Sequence, residues 1–342
     1  MCGAQRPVVG QSMPARTLTT MSSQQGPHDA VFRRILGEPA NAATQLRATL
    51  PATMVARLDL DQLARVSGSF VDASLRWRHS DLLFTVPVDG HEAFIYILVE
   101  HQSSADPLMP FRMLRYVVQI WDRYLAGHPG VTRLPAVIPL VVHHNRNPWT
   151  GPTDVLDLLD VDSDIADAAR ENLPRFRFLL DDLAVLDEQA LRSRPLTPPA
   201  RMTLLLLKIA AGNARLADDL RPWTDELRAI LERSGGIDDF IALLTYIETV
   251  GEAPVDELHD LFAQLGPDAE EAYVTTADML RAEGRTKGRA EGRAEALIQQ
   301  LTLKFGPLPQ TALDAIHAAS TEQLEIWTAR VLTADTLDQV LH

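Results

Sequence analysis

The stretch D-L-L-F-T-V-P-V-D-G-H-E-A-F-I-Y-I-L-V-E, residues 81–100, constrains the fold more than any other part of this chain. Two runs rich in β-branched and aromatic residues, 81–88 and 93–100, flank D-G-H-E (89–92), a turn signal. A segment of this kind folds as an antiparallel hairpin. Around it the period of the apolar residues changes. H-D-A-V-F-R-R-I-L (28–36) has helical spacing, and residues 40–50 and 51–66 continue it up to Ser67-Gly68. Beyond the hairpin, P-L-M-P-F-R-M-L-R-Y-V-V-Q-I-W-D-R-Y-L (107–125) is helical again. L-P-A-V-I-P-L-V-V (134–142) then forms a further apolar strand, closed by His143-His144-Asn145. The order of helix, hairpin, helix and strand predicts an α/β fold with a mixed β-sheet flanked by helices.

The rest of the chain reads differently. Residues 1–26 are rich in Gln, Ser, Pro and Thr and are expected to be disordered, with Met21 a second candidate start. From about 153 to 275 the pattern is mostly helical and strongly acidic. A tract with a four-residue period follows, A-E-G-R-T-K-G-R-A-E-G-R-A-E-A-L (282–297), whose Gly284, Gly288 and Gly292 fall on one helical stripe. It reads either as a solvated helix with Glu–Arg pairs one turn apart or as a close helix–helix seam, and so as a route to a homo-oligomer. Residues 297–342 read as a small helical domain. The expected division is therefore a tail (1–26), a core (27–150), an acidic helical region (151–280), the glycine-periodic helix (281–296) and the C-terminal domain (297–342).

Charge bears on what the core can bind. The whole chain carries a formal charge of −14, which taken alone argues against a nucleic-acid partner. The acidity is uneven. Residues 1–150 hold 14 Arg, no Lys and 11 acidic residues, a net +3, whereas residues 151–342 carry the remaining −17. The first half can meet a polyanion. The single cysteine, Cys2, excludes an intrachain disulfide framework and points to a reducing cytoplasm. No signal-peptide pattern is expected, and the longest apolar run, near 202–211, is broken by Lys208 and too short to cross a bilayer.

The ends of the hairpin carry the chemistry. If D-G-H-E forms the whole turn, Val88 opposes Ala93, partners keep a constant sum of 181, and Asp81 opposes Glu100. Opposed side chains share a face with Cβ atoms about 4.5–5.5 Å apart, and Gln102 shares that face by alternation. Two adjacent carboxylates repel unless a cation lies between them. Mg²⁺ takes oxygen ligands, typically one or two carboxylates plus water, and such an ion activates water and stabilises charge developing on a phosphate. Solvent-exposed strand ends are the bland alternative for both acids.

These residues also carry a resemblance. An Asp opening one strand and an E-x-Q closing the next resemble the D…(D/E)-x-K signature of the restriction-endonuclease-like, PD-(D/E)XK nucleases. More specifically, H-D-A-V-F (28–32), S-F-V-D (69–72), S-D-L-L-F (80–84), Y-I-L-V-E-H-Q-S (96–103), M-P-F-R-M-L-R-Y (109–116) and P-L-V-V-H-H (139–144) resemble the recombination-promoting nuclease family, also labelled YhgA-like. The resemblance covers roughly residues 27–290 and implies a restriction-endonuclease-like core and a metal-dependent DNA endonuclease. It implies Asp81 and Glu100 as ligands of Mg²⁺ or another divalent cation such as Mn²⁺, with Gln102 at the place of the usual lysine. Glutamine is neutral and can only hydrogen-bond. Either a nearby arginine supplies the missing charge, or the site is weakened and the chain acts as a DNA- or protein-binding module.

Arg112, Arg115 and Tyr116 lie on the helix that follows and are candidates for DNA phosphate contact, Arg offering a bidentate fork. Partly exposed pairing with helix acids is the alternative for the arginines. His28 and Asp29 could reach the metal from the first helix, although Asp29 also suits a helix N-terminus. Among the ten histidines, His79, His91, His101, His143 and His144 lie on or beside the apolar strand runs between 79 and 144. With no cysteine among them and no H-x₃-H spacing they read as strand-end or capping residues rather than a zinc site.

Overall fold

A computed structural model describes residues 26–66, 82–89, 91–100, 106–169 and 171–341. The helices α1 (Pro27–Ile35), α2 (Pro39–Thr49) and α3 (Ala52–Val55) precede the strands β1 (Ala64–Arg65), β2 (Leu82–Val88) and β3 (His91–Glu100). Helix α4 (Met109–Gly127) leads to β4 (Ala136–His143), and α5 (Ser163–Ala168) to β5 (Leu179–Asp182). Then come α6 (Glu188–Ser193), α7 (Pro198–Ile209), α8 (Leu216–Leu220), α9 (Thr224–Leu231), α10 (Gly236–Val250) and α11 (Val255–Ala263). The chain ends in α12 (Pro267–Phe305), α13 (Gln310–Ala318), α14 (Thr321–Arg330) and α15 (Leu337–Leu341).

The five strands form one sheet in the order β1-β2-β3-β4-β5. β1, β2 and β3 pair antiparallel, whereas β3, β4 and β5 pair parallel. The expected mixed sheet with flanking helices is thus the observed architecture. Helix α4 makes the crossover between parallel β3 and β4, a connection that needs a dozen or more residues.

Alternation along the strands sorts their residues onto two faces. Leu82, Phe84, Val86, Ile95, Ile97, Leu140 and Val142 join a large buried cluster with α1, α2, α7 and α10. Leu83, Phe94 and Val141 face the other way, against Met109, Met113, Tyr116 and Ile120 of α4. The spacing of four, three and four between those α4 residues sets one helical stripe on the sheet. Helix α1 starts with Pro27 at its first position, carries Asp29 in its first turn and Arg33 and Arg34 in its last, all in keeping with the helix dipole. A third cluster, separate from both, joins Ala294, Leu297 and Leu301 of α12 to Ile316, Leu324 and Val340.

Three expectations are corrected. The helix expected over 51–66 ends at Val55, because the chain is drawn onto the edge of β2. There the Asp59 N–H donates to the Pro87 carbonyl at 2.9 Å, and Ala64 and Arg65 pair with Thr85 and Phe84. Strand β5 lies in a region expected to be mostly helical; L-L-D-D is too short to show a period against the arginines before it. Finally, the hairpin turn is tighter than D-G-H-E. Val88 pairs with His91, so two residues connect the strands, and Asp89 takes φ +48°, the left-handed geometry that an Asp-Gly hairpin turn requires. The disordered tail expected over 1–26 lies outside the described residues apart from Gly26.

Candidate active site

The tighter turn changes the register. Leu82 pairs with Ile97, so partner numbers sum to 179 rather than 181, and the direct opposition expected of Asp81 and Glu100 is not the register of this hairpin. The shift is of two residues. A slip of one would have reversed the faces, whereas a slip of two keeps each residue on its side of the sheet. Asp81 and Gln102 themselves lie outside the described residues, and Glu100 is described in its backbone only.

What the sheet does fix is the end at which these residues arrive. Glu100 is the Cα partner of His143, and His143 is the Cα partner of Asp182. The last residues of three parallel strands therefore form one row, and β2 begins beside Ile97 at the same end. Open α/β sheets bind ligands beyond the carboxyl ends of their parallel strands.

The side chains around that row are held by short local contacts. Asp182 accepts hydrogen bonds from the Trp149 N–H (2.8 Å, Oδ2) and the Ala184 N–H (3.0 Å, Oδ1), which pins the segment after β4 to the end of β5. The His143 ring meets Trp149 edge-on, with centroids 5.2 Å apart. Its Nε2 lies 3.1 Å from the carbonyl oxygen of Asn147. A carbonyl only accepts, so Nε2 carries a proton. Its Nδ1 is buried with no hydrogen-bond partner among the described residues.

His144, one residue on, turns to the opposite face. Its ring stands 4.9 Å from that of His28 at the start of α1, and His28 Nδ1 lies 2.7 Å from the Tyr246 hydroxyl on α10. Burial pushes the Tyr246 phenol far above its ordinary value, so it acts here as a neutral hydroxyl. Sequence reasoning had selected His28 without these companions. Tyr246 gave no signal, since a tyrosine inside I-A-L-L-T-Y-I reads as core. The neighbouring Asp181 has a structural part: buried on the large-cluster face, it accepts both guanidinium nitrogens of Arg194 (2.9 and 2.7 Å) and the Gln45 amide at 2.5 Å.

The residues expected to meet phosphate separate. Arg112 is mostly buried and forms an ion pair with Asp106 at 2.8 Å. Tyr116 is buried in the α4 cluster, and Arg115 is exposed. Among the described residues no group of three or more His, Cys, Asp or Glu side chains is placed to hold a metal ion. A cavity of about 500 Å³ lies elsewhere, between α11 and α12, lined by Val255, His259, Tyr273 and Arg281. No described helix is long and apolar enough to cross a membrane.

Comparison with known proteins decides the family. A family model described as "Putative transposase, YhgA-like" matches residues 26–237. The chain is 32% identical over 270 residues to recombination-promoting nuclease RpnA of Escherichia coli K12, covering 77% of this chain and 87% of that protein. It is 31% identical over 262 residues to recombination-promoting nuclease RpnD of Escherichia coli O157:H7, covering 74% and 94%. This chain belongs to the YhgA-like family of recombination-promoting nucleases. The YhgA-like match takes in the whole sheet, α1 and the first two residues of α10, and stops before α11 and α12. Another family member, similar at 30% identity over 269 residues, is named an inactive recombination-promoting nuclease-like protein, RpnE of Escherichia coli K12. No solved structure matches the chain.

Proposed function

We propose that this member of the YhgA-like family is a cytoplasmic, divalent-metal-dependent DNA endonuclease that hydrolyses phosphodiester bonds and so promotes recombination. The observation that carries the reading is the position of E-H-Q-S: Glu100 is the last residue of β3, in line with the ends of β4 and β5 where such sheets hold ligands. Relatives named nucleases over most of their length add to it.

Asp81 and Glu100 would hold the ion, and their oxygen donors suit Mg²⁺ or Mn²⁺. When bound, the ion supplies an activated water and stabilises charge on the phosphate. Gln102 orients that water through its amide. Arg115 meets the scissile strand's phosphates in preference to Arg112, whose charge already answers Asp106. The net +3 of residues 1–150 favours DNA on this half of the chain, and the acidic helices lie away in sequence. A second copy is the further partner of this reading. Among the described residues nothing lies within 4 Å of where a Cβ would sit on Gly284, Gly288 or Gly292, so their packing does not call for those glycines. Each costs about 1 kcal/mol against alanine in a helix interior. The mass in solution of the full chain, compared with a chain ending near residue 280, tests this: a monomer in both cases removes it.

The test of the activity is nicking of supercoiled plasmid. Cleavage should require Mg²⁺ or Mn²⁺, stop with a chelator, and disappear in Glu100→Gln. The neutral Gln102 and a relative named inactive favour a second reading, a weakened nuclease that serves as a DNA- or protein-binding module. DNA binding without cleavage under any divalent ion would select it.

A further inference from the structure

Helix α4 presses one stripe, Met109, Met113, Tyr116 and Ile120, onto the sheet. Its outward stripe is not the polar face that a surface helix ordinarily turns to water. Leu108, Phe111, Val118 and Leu125 are 58%, 49%, 42% and 43% exposed. Single apolar residues scattered over a surface need no explanation, but these are not scattered. Leu108, Phe111, Arg115, Val118, Asp122 and Leu125 follow one another at steps of three, four, three, four and three, and all of them are exposed. That is the 3.5-residue period of a seam at which one helix meets another. The loop beyond the helix adds to the apolar surface: Trp121 Nε1 donates to the Pro135 carbonyl at 2.9 Å, which brings the neighbouring, exposed Leu134 alongside α4.

The two charged positions in this stripe identify what covers it. Arg115 and Asp122 stand two turns apart, about 10.5 Å along the axis, and do not meet within the helix. Among the described residues neither has an ion-pair partner, in contrast to Arg112, which Asp106 holds at 2.8 Å. Val118 lies between them. A two-fold axis that crosses α4 beside Val118 sets Arg115 against Asp122 of the partner subunit, and Asp122 against Arg115 of the partner subunit. The same axis sets Phe111 against Leu125 of the partner subunit and brings the two copies of Val118 together. A parallel pair would instead put Arg115 and Asp122 each against its own copy, so the charges select the antiparallel arrangement. We propose that the outer face of α4 is a self-association surface, occupied by α4 of a second copy of this chain in the antiparallel sense. This surface is distinct from the glycine-periodic stretch of α12, and it does not rest on the nuclease reading. It assigns Arg115 to a carboxylate of the second copy, in place of the phosphate contact given above.

The test is the mass of the full chain in solution, by sedimentation equilibrium across the micromolar range. It compares wild type, Arg115→Asp, Asp122→Arg and the double variant that carries both changes. Both positions are exposed, so the fold tolerates the substitutions. Wild type should be a dimer. Each single reversal sets like charges together twice, by symmetry, and should weaken the dimer by about tenfold or more. The double variant restores opposite pairs and should return to within about threefold of wild type. A wild type that stays monomeric throughout would overturn the proposal. So would a dimer that neither reversal weakens, which would put the second copy on α12, or a double variant that associates no more tightly than the single ones. Loss of plasmid cleavage in Arg115→Asp and in the double variant alike, at unchanged mass, would also overturn it and return Arg115 to phosphate. Cleavage by wild type is a separate readout: its absence removes the nuclease reading and leaves the dimer standing.

Discussion

The two faces of the sheet are built to different thicknesses. One carries α1, α2, α7 and α10 over Phe84, Ile95, Ile97 and Leu140, in a cluster that also takes in Trp223, Phe240 and Phe262. The other is covered by α4, with a few residues such as Phe178 beside it. Buried polar groups occur on both faces. On the thick side the buried Asp181 is answered by Arg194 and Gln45, and Asn41 donates to the Ile35 carbonyl at 2.9 Å. On the thin side His143 Nδ1 has no partner among the described residues, and on the thick side neither has Gln45 Oε1. A buried polar group is tolerated either where a network satisfies it or where a ligand does. The thick face carries the larger buried core.

The comparison breaks most sharply under large-to-small substitution. Phe84→Ala, on the thick face, should cost about 3–5 kcal/mol, because its surroundings cannot collapse into the gap. Phe94→Ala, under α4, should fall at the lower end of that range. Urea midpoints at unchanged slope read both. Equal costs would mean that the two faces do not differ as supports. Asp181→Ala should come next, at about 3–5 kcal/mol, since it leaves the mostly buried guanidinium of Arg194 without its partner. A cost under about 1 kcal/mol would show that pair to be dispensable.

Smaller effects sharpen the functional side. Gln102→Lys restores the residue type of the resembled signature and should raise plasmid cleavage several-fold with little change in stability, measured as initial rates. A fall in rate would show that the amide itself is required. The smallest effect concerns pH. Burial on α10 raises the Asp239 carboxyl above its ordinary value, and Arg34, 3.5 Å away, offsets only part of that. The folded state therefore holds this proton more tightly than the unfolded state. Its contribution is full below the unfolded carboxylate value and is lost as pH rises through the folded one. Asp239→Asn should flatten that slope of stability against pH in the weakly acidic range and change stability at neutral pH by no more than about 1 kcal/mol. An unaltered slope would assign it to other groups.

How much of this was legible in the sequence follows from the range of each signal. The hairpin, α4 and β4 were readable because long apolar runs impose their own period, as in A-F-I-Y-I-L-V-E and P-F-R-M-L-R-Y-V-V. The register was not, because it hangs on whether two or four residues make the turn, and Asp89 accepting a left-handed φ selected two. Strand β1 was hidden because two residues have no period, and their pairing with β2 is a tertiary event. At the site, E-H-Q at the end of β3 was visible as chemistry out of place. The partnerships of His28 with Tyr246, of Arg112 with Asp106, and of Asp182 with the Trp149 N–H depend on which loops meet. The spacing of His143 marks a strand end; its unanswered nitrogen is a property of packing that spacing does not carry.

The most direct test of the central claim is divalent-ion-dependent cleavage of plasmid DNA by wild type and Asp81→Ala at matched folding. The account predicts nicking by wild type in Mg²⁺ or Mn²⁺ and none by Asp81→Ala, with far-ultraviolet circular dichroism and melting temperature unchanged. Cleavage by Asp81→Ala at the wild-type rate would contradict it.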